Sequence, residues 1–357
     1  MPNLIVFFFL MMSPVLYEGR YHPIETVPKG AAYTIIEEDY DDLAGKVYLQ
    51  AEGKTLKFPT YAQLYCEQIL YFTPFKWIIL GCYLIAAAVY NRFGKFFLVL
   101  GFALHTLVLC LRCFVLSRPP VANMYETILY VPWVAMIVGF IFQPRAGACA
   151  AAAILLFLPS RLSLQNVQAV LDSQYWLTVH VLMVVGSYGV LCLAGVLGHV
   201  LLIKRNEFLE KKLLQVMYLG TGLLIGGTIL GGVWAAQSWG RFWDWDPKEA
   251  WAFICSGLYL IWIHAYRFKK IGGLGLAIGA IIGVMAITFT WYGVNYILGS
   301  GLHSYGFGHG GEKYYYLYLG AEILFISPFF LKILFTKNHK IEKKGQECKS
   351  SPILNER

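Results

Sequence analysis

Apolar segments long enough to cross a lipid bilayer recur along almost the whole of this chain, and they constrain its fold more than any other feature. Runs occur at 75–90, 96–116, 125–143, 147–159, 176–203, 213–235, 249–266, 272–298 and 314–335, with a shorter one at 4–16. Most are roughly 16 to 28 residues, matching the ~20 helical residues that cross a hydrocarbon layer of ~30 Å. With 58% hydrophobic and 14% charged residues, and a mean hydropathy of +0.56, the chain exceeds what a soluble core can absorb. The alternating pattern of a membrane β-barrel is absent. The expected fold class is all-α: a polytopic integral membrane helical bundle with about nine or ten transmembrane helices.

Basic residues choose the orientation, because positive charge collects in short cytoplasmic loops. One alternate set of loops holds Arg92, Lys95, Arg145, Lys204, Arg205, Lys211, Lys212, Arg267, Lys269 and Lys270. The other holds only Arg118, Arg161, Arg241, Lys248 and Lys313. The first set is expected inside, together with the Lys-rich tail 337–357, read as cytoplasmic and disordered. Most of the net charge of +8 falls in those inner loops and the tail, so it calls for no nucleic-acid partner. Residues 1–16 read as an N-terminal anchor or signal-like segment. Residues 17–73 read as a small extracytoplasmic segment with acidic residues at Glu37, Glu38, Asp39, Asp41 and Asp42. The transmembrane domain is expected over 74–336, and no internal repeat is visible.

Cys82, Cys110, Cys113, Cys149, Cys192 and Cys255 all lie in apolar runs, where small apolar packing is their expected role. Cys110 and Cys113 form a C-x-x-C on one helix face, a conceivable redox pair. Phe114 follows them in place of His, so this is no c-type haem attachment site.

Histidines carry more information, since ionisable side chains inside a span are costly and face partners or cavities. His180 falls near the outer end of its span and His303 in the outer loop G-S-G-L-H-S-Y-G. His264, in W-I-H-A-Y-R, lies about one turn from an inner basic loop; His199 is near another inner end, and His105 is mid-span. Each of the last three is a core histidine or a proton-relay member on sequence grounds alone. His309 sits in a glycine-rich outer loop, and His22 and His339 lie in polar segments and receive no role.

Between the spans stands W-G-R-F-W-D-W-D-P-K-E-A-W, with Trp239, Trp243, Trp245 and Trp251 inside thirteen residues. Asp246-Pro247-Lys248-Glu249 has the form of a helix start: Asp as N-cap, Pro at the first position and Glu at the third. Trp251 then falls in the first turns, whereas Trp239, Trp243 and Trp245 belong to the loop or a short interfacial helix. An aromatic belt at headgroup level would account for some of these indoles. Their density, mixed with Asp and Arg, suits a flat apolar ligand whose anionic edge would meet Arg241 or Lys248 and a helix N-terminus. Haem fits that shape and charge, its iron taking one axial imidazole from each face, His180 and His303.

This stretch, together with Y-W-L-T-V-H-V-L-M, Y-L-I-W-I-H-A-Y, G-S-G-L-H-S-Y-G and S-R-P-P-V-A-N-M-Y-E, resembles the CcsA branch (also called ResC) of the system II cytochrome c biogenesis proteins. The resemblance covers roughly 98–304. It implies that His180 and His303 are the external axial ligands of haem b beside the tryptophan-rich loop of 236–251, the family's WWD-type motif. By the same resemblance, His264 is the membrane-embedded haem ligand nearer the cytoplasm, and Trp239, Arg241, Trp243, Trp245, Asp246 and Trp251 bind the cofactor. His105 is a weaker internal alternative.

The resemblance further implies a subunit of a cytochrome c synthase (haem lyase) complex. It would carry haem as transported substrate to the extracytoplasmic face, for thioether attachment to the C-x-x-C-H of an apocytochrome c. No residue is assigned acid–base catalysis. The family's second inner ligand lies in a CcsB/ResB-type membrane subunit, which is therefore an expected partner beside the lipid bilayer. A bacterial inner membrane or a thylakoid-type membrane is implied. Acidification should weaken the site, because each imidazole must be neutral at its donor nitrogen. The competing readings are a system I type haem exporter or ligase, a b-type electron-transfer cytochrome, and a proton-coupled transporter.

Overall fold

The computed structural model describes residues 14–17, 20–23, 34–35, 61–89, 91–116, 118–122, 124–156, 174–298 and 312–350. Most of segment 1–16, most of segment 17–60, the outer loop carrying His303 and His309, and the last residues of the tail lie outside them.

Ten helices follow one another among the described residues: α1 (Tyr61–Phe72), α2 (Phe75–Ala88), α3 (Arg92–Leu116), α4 (Met124–Phe142) and α5 (Pro144–Leu156), then α6 to α10. Helix α6 starts as Gln174–Trp176, widens into a π-helical turn at Leu177–Val181 and continues as Leu182–Ile203. Then come α7 (Glu207–Trp239) and α8 (Pro247–Arg267). Helix α9 (Gly273–Thr288) runs into a second π-helical stretch, Phe289–Leu298, and α10 covers Glu312–Ser350. This is the helical membrane bundle that hydropathy predicts. A small antiparallel sheet precedes the helices, with β1 (Pro14–Tyr17) between β2 (Arg20–Pro23) and β3 (Thr34–Ile35).

Three details differ from the sequence expectation. Five helices among the described residues, not nine or ten, are long and apolar enough by themselves to cross a membrane: Arg92–Leu116, Thr178–Ile203, Glu207–Trp239, Gly273–Leu298 and Glu312–Ile333. Phe75–Ala88, Glu126–Phe142 and Pro144–Leu156 are apolar but shorter. The polar segment before residue 74 ends in a helix, α1, which is anchored to α3 where Gln63 Nε2 donates to the Phe114 carbonyl at 2.8 Å. Helix α10 continues to Ser350, into the stretch expected to be disordered.

Helices α6 and α9 form the centre, with 72% and 67% of their apolar windows buried, whereas none of the α10 window is buried. Without a hydrophobic drive between helices in lipid, close backbone approach supplies the packing, and small residues permit it. Gly198 of α6 shows this: an added Cβ would stand 2.9 Å from the Ala277 carbonyl oxygen of α9. Peripheral α10 is tied to α6 by a polar contact, His199 Nε2 to Glu322 Oε2 at 2.9 Å, while His199 Nδ1–H donates to Gly195 O at 2.8 Å.

The loop between α3 and α4 is held by charge. The buried carboxylate of Glu126 accepts from Arg118 at 2.9 and 3.2 Å and from the Ala122 backbone N–H at 2.9 Å. Arg112, 3% exposed, approaches the same carboxylate at 3.5 Å. Two members of S-R-P-P-V-A-N-M-Y-E, Arg118 and Glu126, therefore fold that segment onto the bundle. Glu67 of α1 lies near this cluster; burial holds its carboxyl above the usual range, and the Arg112 guanidinium pulls the other way.

Candidate functional site

The π-helical turn at Leu177–Val181 carries His180. Such widened turns are rare and recur at functional sites, because the extra residue re-aims a side chain. His180 Nδ1 lies 2.7 Å from the Gly227 carbonyl of α7. A carbonyl only accepts, so Nδ1 carries the proton and Nε2 is the basic nitrogen, the tautomer in which an imidazole binds a metal through Nε2. Gly231 of α7 makes room for the ring, since a Cβ there would stand 2.5 Å from His180 Cε1.

Two indoles complete this corner. Trp234 meets the His180 ring edge-on at 5.7 Å, and Trp176 stacks on Trp234 at 6.3 Å and 11°. Trp176 Nε1 donates to Gln237 Oε1 at 3.0 Å, which fixes the stack against α7. Gly227, Gly231 and Trp234 are spaced by four and three residues, one face of a helix. Sequence reasoning missed Trp176 and Trp234. The signal for the first was present in Y-W-L-T-V-H, where Trp176 stands four residues before His180.

The tryptophan-rich segment begins on α7 rather than in a loop, because Trp239 is the last residue of that helix. Gly240 ends it at φ 74°, the left-handed conformation that glycine adopts without a Cβ penalty. The helix start expected at Asp246 is present in full. The Asp246 side chain accepts from Lys248 N at 3.0 Å, Glu249 Oε2 accepts from the Asp246 and Asp244 N–H groups at 3.3 and 2.9 Å, and Pro247 opens α8. Asp246 is thus buried as a cap.

Within the loop, Trp243 and Trp245 meet edge to face at 6.0 Å. Trp245 is 71% exposed and sits at φ 58°, a region costly for a bulky side chain. The indole Nε1 of Trp243 is buried without a hydrogen-bond partner among the described residues. Trp251, one turn into α8, packs on Phe289 at 4.3 Å, and Phe289 starts the second π-helical stretch. Arg241 is half exposed and paired with Asp244 at 2.7 Å. The carboxylates thus compete for the cation that an anionic ligand edge would need.

The remaining histidines separate clearly. His105, fully buried, has Nε2 at 2.9 Å from the Leu129 carbonyl and Nδ1 at 3.1 Å from the Tyr83 hydroxyl. Both ring nitrogens are committed, Nε2–H donating and Nδ1 accepting, and neither offers a lone pair to iron in this arrangement. His264 is exposed on the outer face of α8; its Nδ1–H donates to Leu260 O at 2.7 Å and its ring lies near Phe268 at 6.3 Å. Thirteen residues of continuous helix put it about 20 Å along the axis from Trp251. His303 is outside the described residues.

The fold and this corner define a multispanning helical membrane protein with a histidine–indole site at the end of the bundle opposite the basic loops. The family of cytochrome c assembly proteins matches residues 121–303, just over half of the chain. The chain belongs to that family. It is 35% identical over 230 residues to the protein NrfI of Wolinella succinogenes, an alignment covering 58% of this chain and 25% of that protein. It is 29% identical over 216 residues to the cytochrome c biogenesis protein CcsA of Chlamydomonas reinhardtii, covering 53% of this chain and 61% of that one. With CcsA of Mesostigma viride the figures are 30% over 266 residues, 60% and 86%. The chain therefore spans a quarter of NrfI and under two thirds of the first of these CcsA proteins.

Proposed function

We propose that this chain acts in cytochrome c assembly of the system II type, presenting haem b to an apocytochrome c on the extracytoplasmic face of a bacterial inner or thylakoid-type membrane. His180 and His303 would hold the haem iron, and the indoles of the loop would pack against the macrocycle. The observation that supports this most is the His180 geometry: Nδ1–H is spent on Gly227 O, so the basic nitrogen is Nε2. Haem supplies two vinyl groups, across which the S–H bonds of the apocytochrome add to give thioethers.

The protein's own contribution is positioning. Trp234 and Trp176 back the His180 ring, Gly231 leaves it space, and the capped start of α8 fixes the loop bearing Trp243 and Trp245. Arg241 would meet a propionate only by leaving Asp244. His264 is the ligand of an inner haem position, and its exposure on α8 is what a second ligand from a CcsB/ResB-type partner would require. The functional unit is the domain of 74–336.

The test is the haem absorption spectrum of the purified chain, alone and with such a partner. His180→Gly and His303→Gly should each lose haem from the outer position and regain it with added imidazole. If neither variant loses haem, axial ligation by this pair is wrong. His264→Ala should remove a separate spectral component, and an unchanged spectrum would discard the inner position.

A further inference from the structure

We infer that a cleft at the basic-loop end of the bundle is a binding site for a phosphate-bearing anion, and that a lipid headgroup of the adjoining leaflet is its source. The cleft has a volume of about 800 Å³ and lies where α6 ends, α7 and α9 begin and α10 passes. Its lining divides by chemistry. Arg205, Lys270 and Lys332 bring cations from three separate elements, while Leu201, Leu274 and Ile333 give an apolar side.

Two carboxylates also line it, Glu207 and Glu210, so three cations face two acids. Glu210 accepts the Tyr266 hydroxyl and lies against Gly273. Helix α9 begins at Gly273 after the N-cap Gly272, and both glycines line the cleft. The volume far exceeds what an isolated phosphate needs. The apolar side accounts for the excess, since a glycerophosphate headgroup enters with the first part of its acyl chains. Basic pockets between helices at a membrane surface bind such headgroups. This site is independent of the haem reading, because none of its lining residues belongs to the histidine–indole corner.

The experiment places the full chain in nanodiscs of dioleoylphosphatidylcholine and replaces that lipid stepwise with dioleoylphosphatidylglycerol, reading Tm. Ligand binding to the folded state should raise Tm by a few degrees in a saturable way. Arg205→Gln, Lys270→Gln and Lys332→Gln combined should abolish the rise. The combination Lys204→Gln, Lys211→Gln and Lys269→Gln, which removes equal charge outside the cleft, should keep it. Leu274→Trp fills the apolar side with charge unchanged and should also lose the response while folding normally in phosphatidylcholine.

An equal rise in all variants would overturn the site and leave only general surface attraction. A rise reproduced by soluble glycerol 3-phosphate in phosphatidylcholine discs, and lost in the first triple variant, would support the phosphate site and reassign its source to the aqueous phase. No rise with either probe would refute the inference.

Discussion

His180 and His105 are both imidazoles within the bundle, yet their ring nitrogens are engaged differently. His105 gives Nε2–H to Leu129 O and takes the Tyr83 hydroxyl on Nδ1, so it joins α2, α3 and α4 as a saturated cross-link. His180 gives Nδ1–H to a carbonyl and stands at a π-helical turn against Trp234. A buried histidine with both nitrogens committed holds structure. One whose Nδ1–H is spent on a backbone carbonyl has Nε2 as its basic nitrogen.

The largest effect that would break this comparison comes from His180→Gly: loss of outer-position haem with imidazole rescue and a smaller Tm loss than His105→Ala causes. His105→Ala should do the reverse. It leaves the buried Tyr83 hydroxyl without its partner, at roughly 1–3 kcal/mol, so thermal denaturation should show a Tm drop of several degrees while the outer haem spectrum of the folded fraction is retained. Swapped phenotypes would discard the contrast.

Gly231→Ala sharpens it, because the new Cβ meets the His180 ring. Haem affinity, measured by titration, should fall several-fold with imidazole partly restoring binding, since the protein ligand is displaced rather than removed. Asp246→Ala removes the N-cap of α8 and should cost about 1 kcal/mol, read as a modest Tm loss with weaker haem retention by the loop. Smallest of all is Arg241→Gln. It breaks an exposed pair with Asp244, a class worth about 0–1 kcal/mol, and should leave Tm within error. A clear fall in haem affinity from it alone would show that Arg241 does meet a propionate.

Much of the molecule was legible because its causes are local. The helices around residues 92–116, 176–203 and 272–298 follow from apolar length alone, and the Asp246 capping box follows from the order Asp-Pro-Lys-Glu. Helix α1 was hidden because it is amphipathic, short and set in a polar segment. The π-helical turns were hidden for a different reason: one extra residue per turn leaves the hydropathy pattern almost unchanged. Trp234 and Trp176 were not legible as a pair because they are far apart in sequence and stand outside the dense cluster at Trp239–Trp251.

The sequence by itself determined that this chain is a helical membrane bundle, where most helices lie and how α8 begins. Those properties depend on hydropathy summed along one segment or on hydrogen bonds within one turn. Only the tertiary structure decided that His105 is saturated, that His264 faces outward, and that His180 rests on Gly227 with Trp234 and Trp176 beside it. An imidazole's role depends on which of its two nitrogens is already bonded, and those partners come from other helices.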